Sequence, residues 1–222
     1  LVVEGRQPAH ATYEPFSPST FYSLADLNLE SPSSGTYYIA VYETFKGGHY
    51  GLAIGDRESY TLTEWILIPL NLIFVYQWEG QSLAFILAPI ITTLAIGIGM
   101  MIWLRKNRAT PRTLFNWLGS LAGLLFLGTS AITLMQMVLS LIQAPLVSEI
   151  VITVVLALIP IFLGFVTFRP SLRTEEKVNL RMRIYLAILG VVALFAWAGL
   201  FIGPTLAIMA SVLPSRLFVE KS

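Results

Sequence analysis

The sequence predicts an integral membrane protein, mainly α-helical. Four transmembrane helices follow a short interfacial amphipathic helix and an N-terminal, extracytoplasmic β-sandwich-like module. Three observations predict this. First, 55% of the 222 residues are hydrophobic and only 12% are charged. An ordinary soluble domain carries about 25% charged residues, so much of this surface faces a solvent other than water. Second, four apolar runs, at about 82–104, 113–142, 149–168 and 184–213, are long enough to span a bilayer. Third, charge is sorted along the chain. Residues 1–79 hold three basic residues against nine acidic, and residues 80–222 hold eleven basic against four acidic.

The β module occupies residues 1–60. Thr36–Tyr42 is rich in aromatic and β-branched residues, as strands are. Tyr37, Ile39 and Val41 share one face, Tyr38, Ala40 and Tyr42 the other, and both faces are substantially apolar. Tyr50–Ile54 reads as a second strand, joined to the first across Gly47-Gly48, which supplies the backbone freedom of a turn. A third strand is predicted near Tyr22–Leu29, followed by a turn at Pro32–Gly35. The stretch "YEPFSPSTFYSLADLNLESPSSGTYYIAVYETFKGGHYGLAIG" resembles the latter half of an extracellular β-sandwich of the bacterial pre-peptidase C-terminal type. Such modules share a Gly-Thr-Tyr-Tyr strand and a Gly-Gly-x-Tyr-x-Leu strand. The resemblance implies a non-catalytic, extracytoplasmic binding or packing module. The strands that precede Tyr13 in such a module are missing here, and the chain opens on Leu1. The sequence therefore predicts a removed leader or an earlier stretch of chain, and an incomplete sandwich that leans on the helices or on a partner.

Residues 61–79 form the interfacial or re-entrant helix. Thr61-x-x-Glu64 is a capping-box pattern ahead of an apolar run, which places the helix start near Leu62. The run is apolar for only about 14 residues, short of the ~20 needed to cross. Trp65, Tyr76 and Trp78 lie near its ends, where aromatic rings favour headgroups.

Residues 80–222 form the four-helix transmembrane domain. Pro89 and Pro160 sit inside the first and third crossings, and Gly203-Pro204 predicts a kink in the fourth. The links decide orientation. Residues 105–112 carry Arg105, Lys106, Arg108 and Arg112, and residues 169–183 carry Arg169, Arg173, Lys177, Arg181 and Arg183. The link "QAPLVSE" has no basic residue. Basic loops stay cytoplasmic. The chain thus reads as a multi-pass plasma-membrane protein with its N-terminal module outside and loops 105–112 and 169–183 inside. Four crossings then leave Arg216 and Lys221 outside, against the trend of the other loops.

Chemistry-bearing residues are sparse. Cysteine is absent, which removes disulfides and thiolate metal sites. His10 and His49 are the candidate copper or zinc ligands; the plainer reading, and the favoured one, is two loop histidines. No cofactor is indicated. Glu175-Glu176 in the inner loop reads as solvated charge rather than an acid–base pair. The crossings carry no ionisable residue between Thr113 and Ser148, Ile150 and Phe168, or Ile184 and Ser215, whereas proton relays and ion-coupled transporters keep such groups. Thr129, Thr133 and Gln136 share one face of the second crossing as a polar intramembrane strip. It reads either as a substrate path or, preferably, as interhelical hydrogen bonding. Gly119 with Gly123, and Gly199 with Gly203, have the spacing of close helix packing.

The inner loops are too short for a catalytic domain, and neither a nucleophile triad nor a phosphate-binding loop is present. The expectation is a non-catalytic accessory or structural subunit of a larger membrane complex, with lipid and other membrane subunits as partners and no nucleic acid. The alternatives are a small transporter or channel component, or a receptor with an external ligand-binding module.

Overall fold

A computed structural model describes residues 5, 8–25, 33–42, 49–52, 60–105, 113–171 and 178–213. In chain order they form β1 (Thr12–Glu14), β2 (Ser19–Phe21), α1 (Leu62–Trp78), α2 (Leu83–Arg105), α3 (Leu114–Gln143), α4 (Ile150–Ser171), α5 (Leu180–Phe195) and α6 (Ile202–Val212). Three of these, α2, α3 and α4, are long and apolar enough to cross a membrane.

α3 is the axis of the bundle, packing against α2, α4, α6 and β2. Its neighbours come close because small residues face them. Gly123 lies against the Gly164 carbonyl and Phe168 of α4, and Gly128 lies against Ile90 of α2. Ser130 Oγ donates to the Ala157 carbonyl of α4 at 2.7 Å. These contacts set α3 antiparallel to both α2 and α4. Gly119 is also buried on α3. The main core gathers Phe115, Ala122 and Phe126 of α3, Leu163 of α4, Leu186 and Leu189 of α5, and Ala207 and Ala210 of α6.

The fourth apolar run is a correction to the sequence expectation. It is not one kinked helix: it breaks at residues 196–201 and folds back as the antiparallel pair α5–α6. Gly190 of α5 packs on Pro204, Ala207 and Ile208 of α6. At the open end, Arg183 Nη1 donates to the carbonyls of Ser211 (3.2 Å) and Leu213 (2.9 Å). The physical reason for the break lies in the turn. The Ala198 N–H reaches the Ala193 carbonyl and the Trp197 N–H reaches that of Leu194, closing α5 in a Schellman-type end. Trp197 occupies the left-handed position (φ 54°) that glycine usually takes, and Gly199 (φ 75°) and Leu200 (φ 50°) are left-handed too. Gly203-Pro204 therefore falls in the first turn of a new helix, where a proline costs no hydrogen bond, rather than at a kink. Gly199 belongs to the turn, so Gly199 and Gly203 are not a packing pair on one helix; both instead abut the Phe126 ring.

α1 begins with the full capping box. Thr61 Oγ1 accepts from the Glu64 N–H, and the Glu64 carboxylate accepts from the Thr61 N–H at 2.8 Å. These bonds hold the Glu64 carboxyl below its ordinary range. Trp65 meets the α5–α6 turn. Its indole stacks at a tilt on Trp197 with ring centroids 4.6 Å apart. Trp197 Nε1 donates to the Trp65 carbonyl at 2.9 Å, and Trp65 Nε1 donates to the Phe195 carbonyl at 3.4 Å.

The β-sandwich expectation also differs from what is observed. The described residues hold one two-stranded antiparallel sheet, with Thr12 opposite Phe21, Tyr13 opposite Thr20 and Glu14 opposite Ser19. Residues 36–42 and 50–52 are not strands, and neither are 22–25. Thr36–Tyr42 has strand propensity, and propensity alone does not make a strand. The Gly47-Gly48 turn, half of the strand expected at Tyr22–Leu29, most of loop 105–112, residues 172–177 of loop 169–183, and the Arg216–Lys221 tail lie outside the described residues.

Candidate functional site

A cluster of bonded polar side chains lies at one end of the bundle, where the β1–β2 hairpin sits. The hairpin turn, Pro15–Pro18, offers backbone carbonyls, and its two prolines have no N–H. Each of three carbonyls is met by a hydroxyl from a different helix. Thr153 Oγ1 of α4 donates to Pro15 O at 2.7 Å. Tyr76 Oη of α1 donates to Ser17 O at 3.2 Å. Ser140 Oγ of α3 donates to Pro18 O at 2.9 Å. Thr153 has one hydroxyl hydrogen and spends it on Pro15, so Tyr13 Oη is the donor in the 2.6 Å Tyr13–Thr153 bond. Ala11, Tyr13 and Ser19 are buried by this seating.

A second set of bonds joins the hairpin to the α1–α2 corner. The Glu79 carboxylate accepts from the Thr20 N–H (3.0 Å) and from Gln81 Nε2 (3.4 Å). Gln81 and Gln136 exchange two amide bonds, at 2.8 Å and 2.6 Å, and Gln136 is fully buried. Thr20 Oγ1 donates to Gln143 Oε1 at 3.3 Å. Burial against the hairpin raises the Glu79 carboxyl above its ordinary value, partly offset by its bonds to Thr20 and Gln81. Burial likewise raises the Tyr76 phenol, with Glu79 and Tyr13 adding to it. The Tyr13 phenol is raised by burial, against the lowering effect of its bond to Thr153, with Glu14 raising it further.

The residues of the expected polar strip bond both within α3 and to other elements. Thr129 Oγ1 donates to Leu125 O and accepts from the Gly199 N–H at 2.7 Å, pinning the α5–α6 turn. Thr133 Oγ1 donates to Thr129 O. Gln136 pairs with Gln81 as above. The strip continues through Ser140 and Gln143, whose spacing already places them on the same face of α3. Reading it two positions further would have pointed to the capped end. Tyr13, Tyr76, Glu79, Gln81 and Thr153 carried no such signal, since each is recruited by tertiary packing.

The two histidines are placed differently. The His49 ring stacks on Trp78 at 5.2 Å with the planes 7° apart, and His10 is exposed just before β1. Among the described residues no three of His, Asp and Glu gather in a cluster able to hold a metal ion. Chemically, the capped end is a mesh of neutral donors and acceptors with the carboxyl groups of Glu14 and Glu79, suited to holding elements together. Comparison with protein-family models, with curated proteins and with solved structures returns no match.

Proposed function

We propose that this chain is a non-catalytic accessory subunit of a larger membrane assembly, anchoring a small module on the extracytoplasmic face. The observation that carries the reading is a contrast between two parts of the chain. At the capped end donors and acceptors are spent on seating the hairpin, while the aromatic segment 36–42 is left uncovered, Tyr38 being 92% and Tyr42 87% exposed. Exposed apolar surface of this kind suits contact with another protein. Aromatic side chains are the commonest anchors of such contacts. Sorting of basic residues into 105–112 and 169–183 supports a plasma-membrane orientation with the cap outside and those segments in the cytoplasm. The transport reading has less support, because Thr129 and Gln136 are engaged in contacts between elements.

The test is extraction of the full chain in a mild detergent. Co-purification of other membrane proteins in a fixed ratio is expected. Replacing Tyr38 and Tyr42 together by Ser should release them while the chain stays folded. Isolation of a monodisperse single subunit from native membranes would remove the reading.

A further inference from the structure

We infer that α5–α6 is a re-entrant hairpin, entering and leaving the membrane on one face. The chain then crosses three times, and its C-terminal end lies on the side of the basic loops. Neither arm is long enough to cross. α5 has 16 residues and α6 has 11, against about 20 for a spanning helix. Together they fold back rather than continue. Gly190 meets Ala207 and Ile208 midway, and Arg183, near the start of α5, bonds the carbonyls of Ser211 and Leu213 at the end of α6. A guanidinium on the last carbonyls of a helix both caps it and complements its dipole. It also fixes the two open ends of the hairpin at the same depth.

The end at which they lie is set by α3. Val178 and Met182 pack on the core cluster to which α3 contributes Phe115, Ala122 and Phe126, all nearer the start of that helix than Ser140 and Gln143 under the β hairpin. The tip reaches Thr129 and Phe126, about 24 Å along α3 from Thr113 at 1.5 Å per residue. That is short of a full crossing of ~30 Å. Irregular backbone at such depth is tolerated only where protein covers it. Here the Schellman-type end of α5, the Thr129 hydroxyl on the Gly199 N–H, the Phe126 ring and the Trp65–Trp197 pair provide that cover.

Charge supports the same topology by an independent route. With four crossings, Arg216 and Lys221 face away from the other nine basic residues of 80–222; with a re-entrant hairpin all eleven share one side. Nothing in this argument depends on which side is cytoplasmic.

The chain has no cysteine, so single cysteines report position without a background to remove. Ser148→Cys marks the link beside the capped end, Thr174→Cys the basic loop, and Ser222→Cys the C-terminus. Intact cells, then permeabilised cells, are treated with a membrane-impermeant maleimide. Ser222→Cys is expected to follow Thr174→Cys, both gaining or both lacking protection, with Ser148→Cys opposite to them. Ser222→Cys following Ser148→Cys would overturn the inference. As a second measurement, a fluorescent protein that matures only in the cytoplasm is inserted after Thr174 or fused after Ser222. Two bright or two dark products are expected; one of each restores a fourth crossing.

Discussion

α3 and the α5–α6 hairpin use apolar stretches of similar length to opposite ends; α3 carries no charge, and the hairpin carries only Arg181 and Arg183, in the first turn of α5. α3 runs unbroken over 30 residues and packs against α2, α4, α6 and β2; the hairpin divides a comparable run into arms of 16 and 11. Both contain glycines, so glycine alone does not decide. In α3 the glycines meet neighbouring helices, Gly123 against Gly164 and Gly128 against Ile90, with helical backbone maintained. In the hairpin, three residues within four positions take left-handed backbone, and a proline follows in the next helical turn. The lesson is that an apolar run becomes a crossing or a hairpin according to whether a partner element supplies bonds to the broken backbone. α3 supplies one through Thr129, with the Phe126 ring packed on the turn, and α1 supplies another through Trp65.

The sharpest way to break this contrast is at Gly199. A side chain there is strained by φ 75° and would press on the Phe126 ring. Gly199→Val should lower stability by about 2–4 kcal/mol, from left-handed strain plus overpacking. Thermal unfolding in detergent reads the loss, together with increased labelling of cysteines placed in the turn. Gly99→Ala is the matching change in a straight helix with open space around it. It should move the unfolding midpoint by no more than the equivalent of ~0.5 kcal/mol.

A smaller effect tests the polar strip. Gln136→Leu removes both amide bonds to Gln81, and should cost about 1–2 kcal/mol, the range of interhelical polar pairs in membranes. Adding Gln81→Leu should recover part of that cost, since the partner amide is then no longer stranded. A double-mutant cycle of unfolding free energies checks this, and strict additivity would show that the pair is not coupled.

The smallest effect concerns pH at the cap. Glu79 has its folded carboxyl raised above the unfolded value by burial. Its contribution to hairpin seating is therefore fully present below the ordinary carboxylate value and lost as pH rises through the raised one. Amide exchange at Thr20 should slow as pH is lowered across that window, after correction for intrinsic exchange. In Glu79→Gln the corrected rate should be flat.

Much of the helical layout could be read from residue order. The apolar runs at 82–104 and 113–142 sit within a residue of α2 and α3, because length and charge exclusion are local properties. Thr61-x-x-Glu64 located the start of α1, because a capping box is complete within four residues. The hairpin break was not legible. Gly203-Pro204 fits a kink and a helix start equally well, and the residue that ends α5 is Trp197, where glycine is the usual sign. Arg183 reads as one more loop cation until it is seen on the carbonyls of Ser211 and Leu213. At the cap, Pro15 and Pro18 between two short β-prone triplets were a turn signal overshadowed by the stronger propensity of Thr36–Tyr42. The hydroxyls that seat the turn come from Tyr76, Ser140 and Thr153, which no local pattern links.

The reciprocal bonds between Trp65 and the Phe195–Trp197 turn have a bearing on biosynthesis. Two short arms have little tendency to insert unaided, and their meeting point needs surfaces made much earlier in the chain. A nascent protein stopped near residue 178 would already hold its three long helices, with the flank of α3 bare to lipid. Residues 180–212 then close that flank only once they have left the ribosome, which makes their docking the step at which a quality-control protease has its best opportunity to act.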